Sequence, residues 1–182
     1  PAYQAHLAAT FADWRLTVDG LVARPLALPL GRLQALPARS QITRHDCVEG
    51  WSGIAKWTGV PLRLLLQGAG LRPEARFIVF HCMDRYGDRP YYESIDLVDA
   101  FHPQTILAWG LNDQMLPVAN GAPLRLRVER QLGYKHAKYL QRIEARTTGT
   151  GGCNTSVSDG WFTGSGVAYT VTLPDGTTDQ GV

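Results

Sequence analysis

One cysteine stands in the part of the chain that is most crowded with groups able to do chemistry. The segment RHDCVEGWS (residues 44–52) places Cys47 beside an arginine, a histidine and two carboxylates. A thiolate is a strong soft ligand for metals and a good nucleophile, and cations such as Arg44 and His45 lower its pKa. Two glycines that follow the cysteine allow a ligand to approach the backbone closely. These residue types predict a metal-binding or nucleophilic thiol, with a buried structural cysteine as the alternative.

Two further uses of Cys47 are open to the residue types alone. One is a zinc site, since histidine and cysteine are usual zinc ligands, although the chain has no Cys-x2-Cys or His-x3-His spacing. The candidate zinc ligands are His45, Cys47, His81 and Cys82. The other is a Cys–His hydrolase that pairs Cys47 with one of the five histidines, but it lacks a recognisable local signature. The residues therefore favour neither a zinc site nor a Cys–His hydrolase, but they exclude neither of them.

A second cluster is basic and follows a glycine-containing segment. In NGAPLRLR (residues 120–127) leucines alternate with Arg125 and Arg127, so the arginines face away from the core that the leucines enter. Further along, Lys135 and Lys138 follow a glycine and stand three residues apart, so one turn would present both ammonium groups to an anion. A solvated strand face is the alternative for the arginines. Two basic motifs in succession predict a phosphate or oxyanion site.

Short strands and a few short helices are predicted to hold these clusters. Alternation and turn residues predict strands, and 3.6-residue spacing predicts helices. The predicted helices are Leu30–Leu36 and Val60–Gln67, the second with a proline in its first turn and a glycine at its end. The predicted strands are Trp14–Val18, closed by a turn at Asp19-Gly20, then Phe77–Phe80, Thr105–Trp109 and Gln114–Val118 about a turn at Asn112-Asp113, Leu124–Val128, and Tyr139–Ile143. Because strands outnumber helices and do not alternate regularly with them, the chain is predicted to be a mixed α+β domain.

Composition limits the class of protein further. The chain has 182 residues, of which 45% are hydrophobic and 19% charged, which suits one packed domain and excludes wholesale disorder. Its formal net charge of +2 argues against a nucleic-acid partner, and no apolar run has the roughly 18–20 residues needed to span a bilayer. Three scattered cysteines make no disulfide framework. Residues 147–182 contain no Lys or Arg but eight Gly and nine Thr, which predicts a separate tail with a strand at Val167–Leu173 and a turn at Pro174-Asp175-Gly176.

Three segments, taken together and in order, carry a resemblance to a known family. They are HDCVEGWSGIAKWTGVPL (45–62), YYESIDLVDAFHPQTILAWGLN (91–112) and NGAPLRLRVERQLGYKHAKYLQRIE (120–144). The chain resembles the molybdopterin-binding domain of the sulfite oxidase superfamily, and within it the bacterial branch of periplasmic methionine-sulfoxide reductase catalytic subunits. The resemblance implies a mixed-sheet, barrel-like fold with short helices over residues 1–146, without the N-terminal segment of further pterin contacts that relatives carry. Residues 147–182 form an atypical Gly/Thr-rich tail.

The resemblance also implies a site. In such proteins molybdenum is held by the dithiolene of one molybdopterin and by one cysteine thiolate, here Cys47. Glu49 stands two residues later, where the methionine-sulfoxide reductase branch also has an acidic residue, and is implied to be catalytic with it. The implied cofactor contacts are Cys82, where relatives often have threonine, Asn120, Arg125, and, along the phosphate side, His136, Ala137 and Lys138.

The activity and partners follow from the same resemblance. Family members transfer an oxygen atom while electrons pass to or from a haem partner. Sulfite-oxidising members have an arginine five residues after the ligand cysteine, and here Ser52 stands there, so a neutral S-oxide or N-oxide is favoured. The expected partners are a small-molecule substrate and a haem-containing electron-transfer protein, a membrane cytochrome b or a cytochrome c type, in the periplasm. The alternatives are a sulfite-oxidising enzyme and a non-catalytic domain of the same fold with impaired cofactor binding.

Overall fold

Short helices and strands make up two compact units, residues 1–149 and residues 150–182. The structure is a computed structural model that describes residues 2–47, 49–86, 89–148, 169–172 and 178–181. The helices of the first unit are α1 (Ala2–Ala8), α2 (Leu30–Gln34), α3 (Leu62–Ala69) and α4 (Leu97–Ala100), with 3-10 turns at Val118–Asn120 and Gly133–Lys135. Its strands are β1 (Arg15–Gly20), β2 (Leu26–Pro29), β3 (Arg39–Asp46), β4 (Ser52–Pro61), β5 (Phe77–Tyr86), β6 (Arg89–Asp96), β7 (Ile106–Leu111), β8 (Gln114–Met115), β9 (Arg125–Arg127) and β10 (Leu140–Arg146).

Two sheets build the first unit. One has the order β2-β1-β10-β5-β6, and it is mixed because β1 runs parallel to β10 while the other pairs are antiparallel. The other has the order β3-β4-β7-β8 with β9 also paired to β7, and its pairs are antiparallel. These sheets and the short helices confirm the α+β class predicted from the sequence.

The second unit contributes one antiparallel strand pair to the description. It joins β11 (Tyr169–Thr172) to β12 (Thr178–Gly181). The first of these strands falls within the predicted strand Val167–Leu173. The predicted turn at 174–176 lies outside the described residues.

An apolar core in the first unit contains residues of both sheets and of α3. The helix turns four apolar side chains inward at the spacing of an amphipathic helix, namely Leu62, Leu65, Leu66 and Ala69. It ends at Gly70, whose φ of +70° is a left-handed conformation that suits glycine. The predicted helix is confirmed, but it begins later than predicted because Val60 and Pro61 complete β4 by pairing with β7.

The other two turns predicted from the sequence have different outcomes. Asn112 and Asp113 adopt φ values of 50° and 63° between β7 and β8, as a two-residue hairpin loop requires, although the second strand ends at Met115 rather than at residue 118. The predicted turn at Asp19-Gly20 is wrong. The strand runs on through Gly20, which pairs with Ala145 of β10 so closely that a Cβ would overlap the Ala145 carbonyl oxygen.

The other predicted elements are present with shifted ends. They are α2, β5, which continues to Tyr86, β9, and β10. The sequence did not predict α1, α4, β2, β6 or the hairpin of β3 and β4, which carries Cys47 between its strands. None of the helices within the described ranges combines the length and the apolar character needed to cross a bilayer.

A bulge between Thr58 and Gly59 brings β4 close to β7. A Cβ at Gly59 would overlap the Leu107 carbonyl oxygen and would lie 2.6 Å from the Cα of Ala108. Because backbone atoms cannot move aside, we expect Gly59→Ala to lower the free energy of unfolding by about 1–3 kcal/mol in urea denaturation. Gly31→Ala is the matched control, since a Cβ there meets nothing within 4 Å. Equal stabilities of the two variants would show that the close approach is absent.

Candidate functional site

The predicted metal ligand lies in the short turn that joins β3 to β4. The Cys47 N–H donates to the carbonyl oxygen of Trp51 (2.9 Å), and the Gly50 N–H donates to the carbonyl oxygen of Cys47 (3.0 Å). The thiol is partly exposed and forms no disulfide in the part of the chain described. Glu49 is exposed on the same turn and accepts a hydrogen bond from the Trp51 indole N–H (3.2 Å). One turn therefore carries both the thiol and the carboxylate that the resemblance implies are catalytic.

Ser52, five residues after Cys47, is bonded to a carboxylate. Its hydroxyl donates to Oδ1 of Asp46 (2.5 Å), and the Arg44 guanidinium lies 2.8 Å from the same oxygen. The hydrogen bond from Ser52, and then the bond and charge of Arg44, hold the pKa of Asp46 below its ordinary value. The turn therefore presents an ionised carboxylate beside Ser52.

The arginines of the second cluster are buried on β9. Arg125 is 6% exposed and Arg127 is 0% exposed, so the alternative of a solvated strand face is wrong. Arg125 donates through Nη1 to the Asn120 carbonyl oxygen (3.1 Å) and through Nη2 to the His136 carbonyl oxygen (3.2 Å). Within the described part of the chain its Nε–H has no partner. Burial, and then repulsion from the second arginine, lowers the pKa of Arg125 to about 9.

Arg127 holds a network that the sequence did not predict. Its Nε and Nη2 donate to the two carboxylate oxygens of Glu129 (3.0 and 2.7 Å), and its Nη1 donates to Nδ1 of His45 (2.7 Å). The Trp57 ring lies 4.4 Å from the guanidinium carbon of Arg127 and 4.9 Å from that of Arg125. Such cation–π contacts offset part of the cost of burying the charges. The only sequence signal was the Arg-x-Glu spacing, which places both side chains on one face of a strand.

The two clusters meet at a pair of histidine rings. The centroids of His45 and His136 are 5.0 Å apart with the rings perpendicular, and His45 also contacts the Trp51 ring at 5.7 Å. A Cβ on Gly133 would lie 2.6 Å from Nε2 of His45. Burial, followed by the two cations of β9, lowers the pKa of His45 to about 4, and burial lowers that of His136 well below its ordinary value. Both imidazoles are therefore neutral near pH 7.

Ala137 and Lys138 directly follow His136 in the chain. The Ala137 carbonyl oxygen accepts from the Leu126 N–H (2.8 Å), and the Lys138 ammonium donates to the Ala119 carbonyl oxygen (3.2 Å). A Cβ on Gly121 would lie 2.7 Å from the Cβ of Lys138. Burial, followed by the nearest guanidinium, lowers the pKa of the Lys138 ammonium. The structure thus brings together the predicted contacts Asn120, Arg125, His136, Ala137 and Lys138.

Cys82 lies in the hydrophobic core instead. It is 7% exposed, it lies opposite Leu140 in the β5–β10 pair, and its thiol is 3.9 Å from the Phe80 carbonyl oxygen. Burial raises the pKa of this thiol, and the carboxylates of Asp84 and Glu93 raise it further. The contact of Cys82 with the cofactor stays a prediction. Asp84, two residues on, has a buried Oδ1 without a hydrogen-bond partner among the residues described.

A buried ion pair supports the segment that carries His136. The Lys135 ammonium lies 3.2 Å from Oε2 of Glu93, whose side chain is fully buried. The Tyr91 hydroxyl lies 3.1 Å from Oε1 of Glu93 and 3.2 Å from the Tyr134 carbonyl oxygen. The prediction that Lys135 presents its ammonium to an anion is wrong, because Glu93 draws that ammonium into the interior. Sequence reasoning did not pair Glu93 with Lys135, because 42 residues separate the two.

The zinc alternative is not supported by this arrangement. Across the described ranges, no three His, Cys, Asp or Glu side chains are placed to bind a metal ion. His81, one of the candidate zinc ligands, pairs with Glu144 at 2.9 Å on the first sheet.

Buried polar atoms test whether the site suits a molybdopterin. His136 donates through Nε2 to the Gln131 carbonyl oxygen (3.1 Å), which leaves its Nδ1 as an acceptor that no described residue satisfies. The buried Nε–H of Arg125 is a donor that likewise has no partner among the described residues. Together with the Lys138 ammonium, these atoms match a ligand that carries both an anionic phosphate and N–H donors, as a pterin cofactor does. The residues present therefore fit the group that the resemblance implies.

The fold and this site define a class of protein. Residues 4–153 match the family model described as the oxidoreductase molybdopterin binding domain, and the chain belongs to that family. The resemblance stated from the sequence is confirmed, and with it the class of molybdopterin-dependent oxidoreductase, the fold class and the molybdenum–molybdopterin cofactor.

Two curated relatives and one solved structure are similar to most of this chain. A putative protein-methionine-sulfoxide reductase subunit of Azospira oryzae is 43% identical over 154 residues, which cover 85% of this chain and 57% of the relative. The protein-methionine-sulfoxide reductase catalytic subunit MsrP of Gluconobacter oxydans is 38% identical over 143 residues, 71% of this chain and 46% of the relative. The crystal structure of the sulfane dehydrogenase SoxCD from Paracoccus pantotrophus shares the fold, with a TM-score of 0.73 and 22% identity over 93% of this chain and 44% of that one. The chain spans about half the length of the curated relatives it matches.

Proposed function

We propose that this chain is the catalytic domain of a molybdenum-dependent reductase of S-oxides or N-oxides, with Cys47 as the thiolate ligand of the metal. The observation that carries the proposal is the contact between the rings of His45 and His136 at 5.0 Å. That contact joins β3, which leads into the Cys47 turn, to the segment that bears His136, whose buried Nδ1 has no partner among the described residues. A non-catalytic domain has no physical need for both a partly exposed thiol and a buried guanidinium whose Nε–H has no partner among the described residues.

Side chains of β9 and of the segment at residues 133–138 are proposed to hold the cofactor. The Arg125 Nε–H and the Lys138 ammonium bind the phosphate, and His136 Nδ1 accepts a hydrogen bond from an N–H of the pterin. The burial of Arg125 strengthens its attraction to an anion because little water screens it. The Cys47 thiolate is a soft donor that suits molybdenum beside dithiolene sulfurs. When bound, the cofactor supplies two-electron oxygen-atom transfer. The other proposed cofactor contacts are Cys82, Asn120 and Ala137.

The rim of the Cys47 turn favours a neutral substrate. Asp46, ionised and held by Ser52 and Arg44, repels an anion such as sulfite. A sulfoxide carries no net charge, and its reduction consumes two electrons and two protons to give a sulfide and water. We assign Glu49, exposed on the same turn, to hold a proton for the substrate oxygen. The names of the relatives, protein-methionine-sulfoxide reductases, support a sulfoxide.

Turnover with paired substrates tests the proposal. The molybdenum-loaded chain, supplied with electrons by a reduced viologen, should reduce methionine sulfoxide with a higher kcat/KM than it shows for sulfite oxidation with ferricyanide. Ser52→Arg removes the hydrogen bond to Asp46 and adds a cation, so its relative efficiency should shift towards sulfite. Sulfite oxidation without any reduction of S-oxides or N-oxides would make the chain a sulfite-oxidising enzyme instead.

The proposal also covers the substrate, the electron donor and the cellular location of the enzyme. The substrate is a small molecule or a side chain bearing an S-oxide. The electrons come from a haem-containing partner, a membrane cytochrome b or a cytochrome c type, in the periplasm. Residues 1–146 form the molybdopterin-binding domain that carries all of the proposed site residues, and the Gly/Thr-rich tail at 147–182 carries none of them.

A further inference from the structure

Arg127 is a buried cation that the proposed function does not use. Its side chain reaches from β9 past Trp57 of β4 to β3, where it donates to the Thr43 hydroxyl (3.3 Å) and to His45 Nδ1 (2.7 Å). The carboxylate of Glu129 takes two further N–H groups at 3.0 and 2.7 Å. A guanidinium neutralised in this way is poorly suited to attract an anion. Its contacts suit it to hold the groups that it touches.

A glycine leaves the space that the His45 ring fills. Gly133 lies against the ring, where a Cβ would be 2.6 Å from Nε2. Because Gly133 carries no side chain, the imidazole occupies the gap between the β3–β4 hairpin and the segment at residues 133–138. It meets His136 there with its ring perpendicular to the other.

We propose that Arg127 is a positioning residue that acts through His45 to fix the Cys47 turn against the cofactor-binding segment at residues 133–138. This inference rests on the proposed function, which gives that turn its role. The His45 ring contacts Trp51, and the Trp51 carbonyl oxygen accepts the Cys47 N–H, so the ring braces the turn. The bond from Arg127 Nη1–H requires a lone pair on Nδ1, which fixes both the tautomer and the orientation of the ring.

Amide hydrogen exchange on the full chain, without metal, tests the proposal directly. Arg127→Met should speed the exchange of the Cys47 and Gly50 amides by about tenfold, because loss of a hydrogen bond from a charged donor frees the turn. The amides of β10 should exchange at a rate that reflects only the change in global stability. His45→Leu should produce the same local increase. Because His45→Leu leaves Arg127 paired with Glu129, the buried charge stays neutralised. If Arg127→Met does not fold, His45→Leu alone is sufficient for the test.

A double variant separates positioning from a merely structural role. If Arg127 acts through His45, the two substitutions together should speed exchange at the turn no more than either one alone. Arg142→Met is the control, since it breaks a half-buried pair with Asp19 on the other sheet (2.9 Å) and should leave the turn unchanged. Additive effects at the turn, no effect at the turn, or a uniform increase that extends through β10 would each overturn the proposal.

The metal-loaded protein supplies a second readout. The thiolate-to-molybdenum charge-transfer absorption depends on the orientation of the Cys47 sulfur, so both single variants should shift it at unchanged molybdenum content. An unshifted band would overturn the positioning role. If wild-type protein showed no such band, the proposed ligand role of Cys47 would fail, and the exchange data would still decide whether Arg127 positions the turn.

Discussion

Replacement of Cys47 by serine is expected to abolish turnover and to leave the fold intact. A serine hydroxyl is a hard donor that cannot replace a soft thiolate on molybdenum. We expect kcat/KM to fall by more than the roughly 10–100-fold that loss of a group supporting a metal ligand costs. The thermal unfolding midpoint should stay near that of wild type, because Cys47 is partly exposed and the turn is held by its backbone. Steady-state kinetics with an S-oxide and calorimetry on one preparation measure both quantities.

The control for this substitution is Cys153→Ser, which lies outside the proposed domain 1–146 and should keep wild-type activity. Wild-type turnover in Cys47→Ser would remove Cys47 as the metal ligand. Loss of cooperative unfolding together with activity would instead support the structural-cysteine alternative.

The largest loss of stability is expected at the buried pair of Glu93 and Lys135. Lys135→Met leaves a fully buried carboxylate without its cation, and an uncompensated buried charge costs roughly 3–5 kcal/mol of unfolding free energy. Burial raises the pKa of Glu93 and the lysine lowers it, so removal of the lysine raises that pKa further. The folded variant then binds a proton more tightly than the unfolded chain does. Its deficit should therefore shrink as the pH falls and grow as the pH rises through the folded-state pKa of Glu93.

Removal of both charges separates the ion pair from the packing around it. The double variant Glu93→Leu with Lys135→Met places apolar side chains where the charges were, and should regain most of the stability lost in the single variant. The Tyr91 hydroxyl keeps the Tyr134 carbonyl oxygen as an acceptor. Denaturant unfolding of the three proteins measures these differences. If Lys135→Met alone matches wild type at neutral pH, the pair does not stabilise the segment at residues 133–138.

Elements defined by their own residues were predictable from the sequence. Helix α3 has apolar side chains at helical spacing and a glycine at its end, and Asn112-Asp113 is a turn suited to positive φ values. The β3–β4 hairpin lacked such a signal. Ile42, the one apolar residue of β3, is 71% exposed, and Ile54 of β4 is 74% exposed, so neither strand shows the alternation of a half-buried strand.

The site was predictable only in part, because its partners come from distant segments. The family resemblance selected Asn120, Arg125 and His136, and the structure brings these residues together. It gave no sign that Trp57 and Glu129 allow two arginines to be buried side by side. Such pairings depend on strand order and register, which local sequence patterns do not encode.

The molybdenum content of the purified chain decides whether Cys47 and Arg125 belong to a cofactor site. The chain would be produced in a host that makes molybdopterin and measured by elemental mass spectrometry together with protein concentration. We expect about one molybdenum per wild-type chain and little in Cys47→Ser or Arg125→Met. A folded wild-type chain that contains no molybdenum would contradict this expectation.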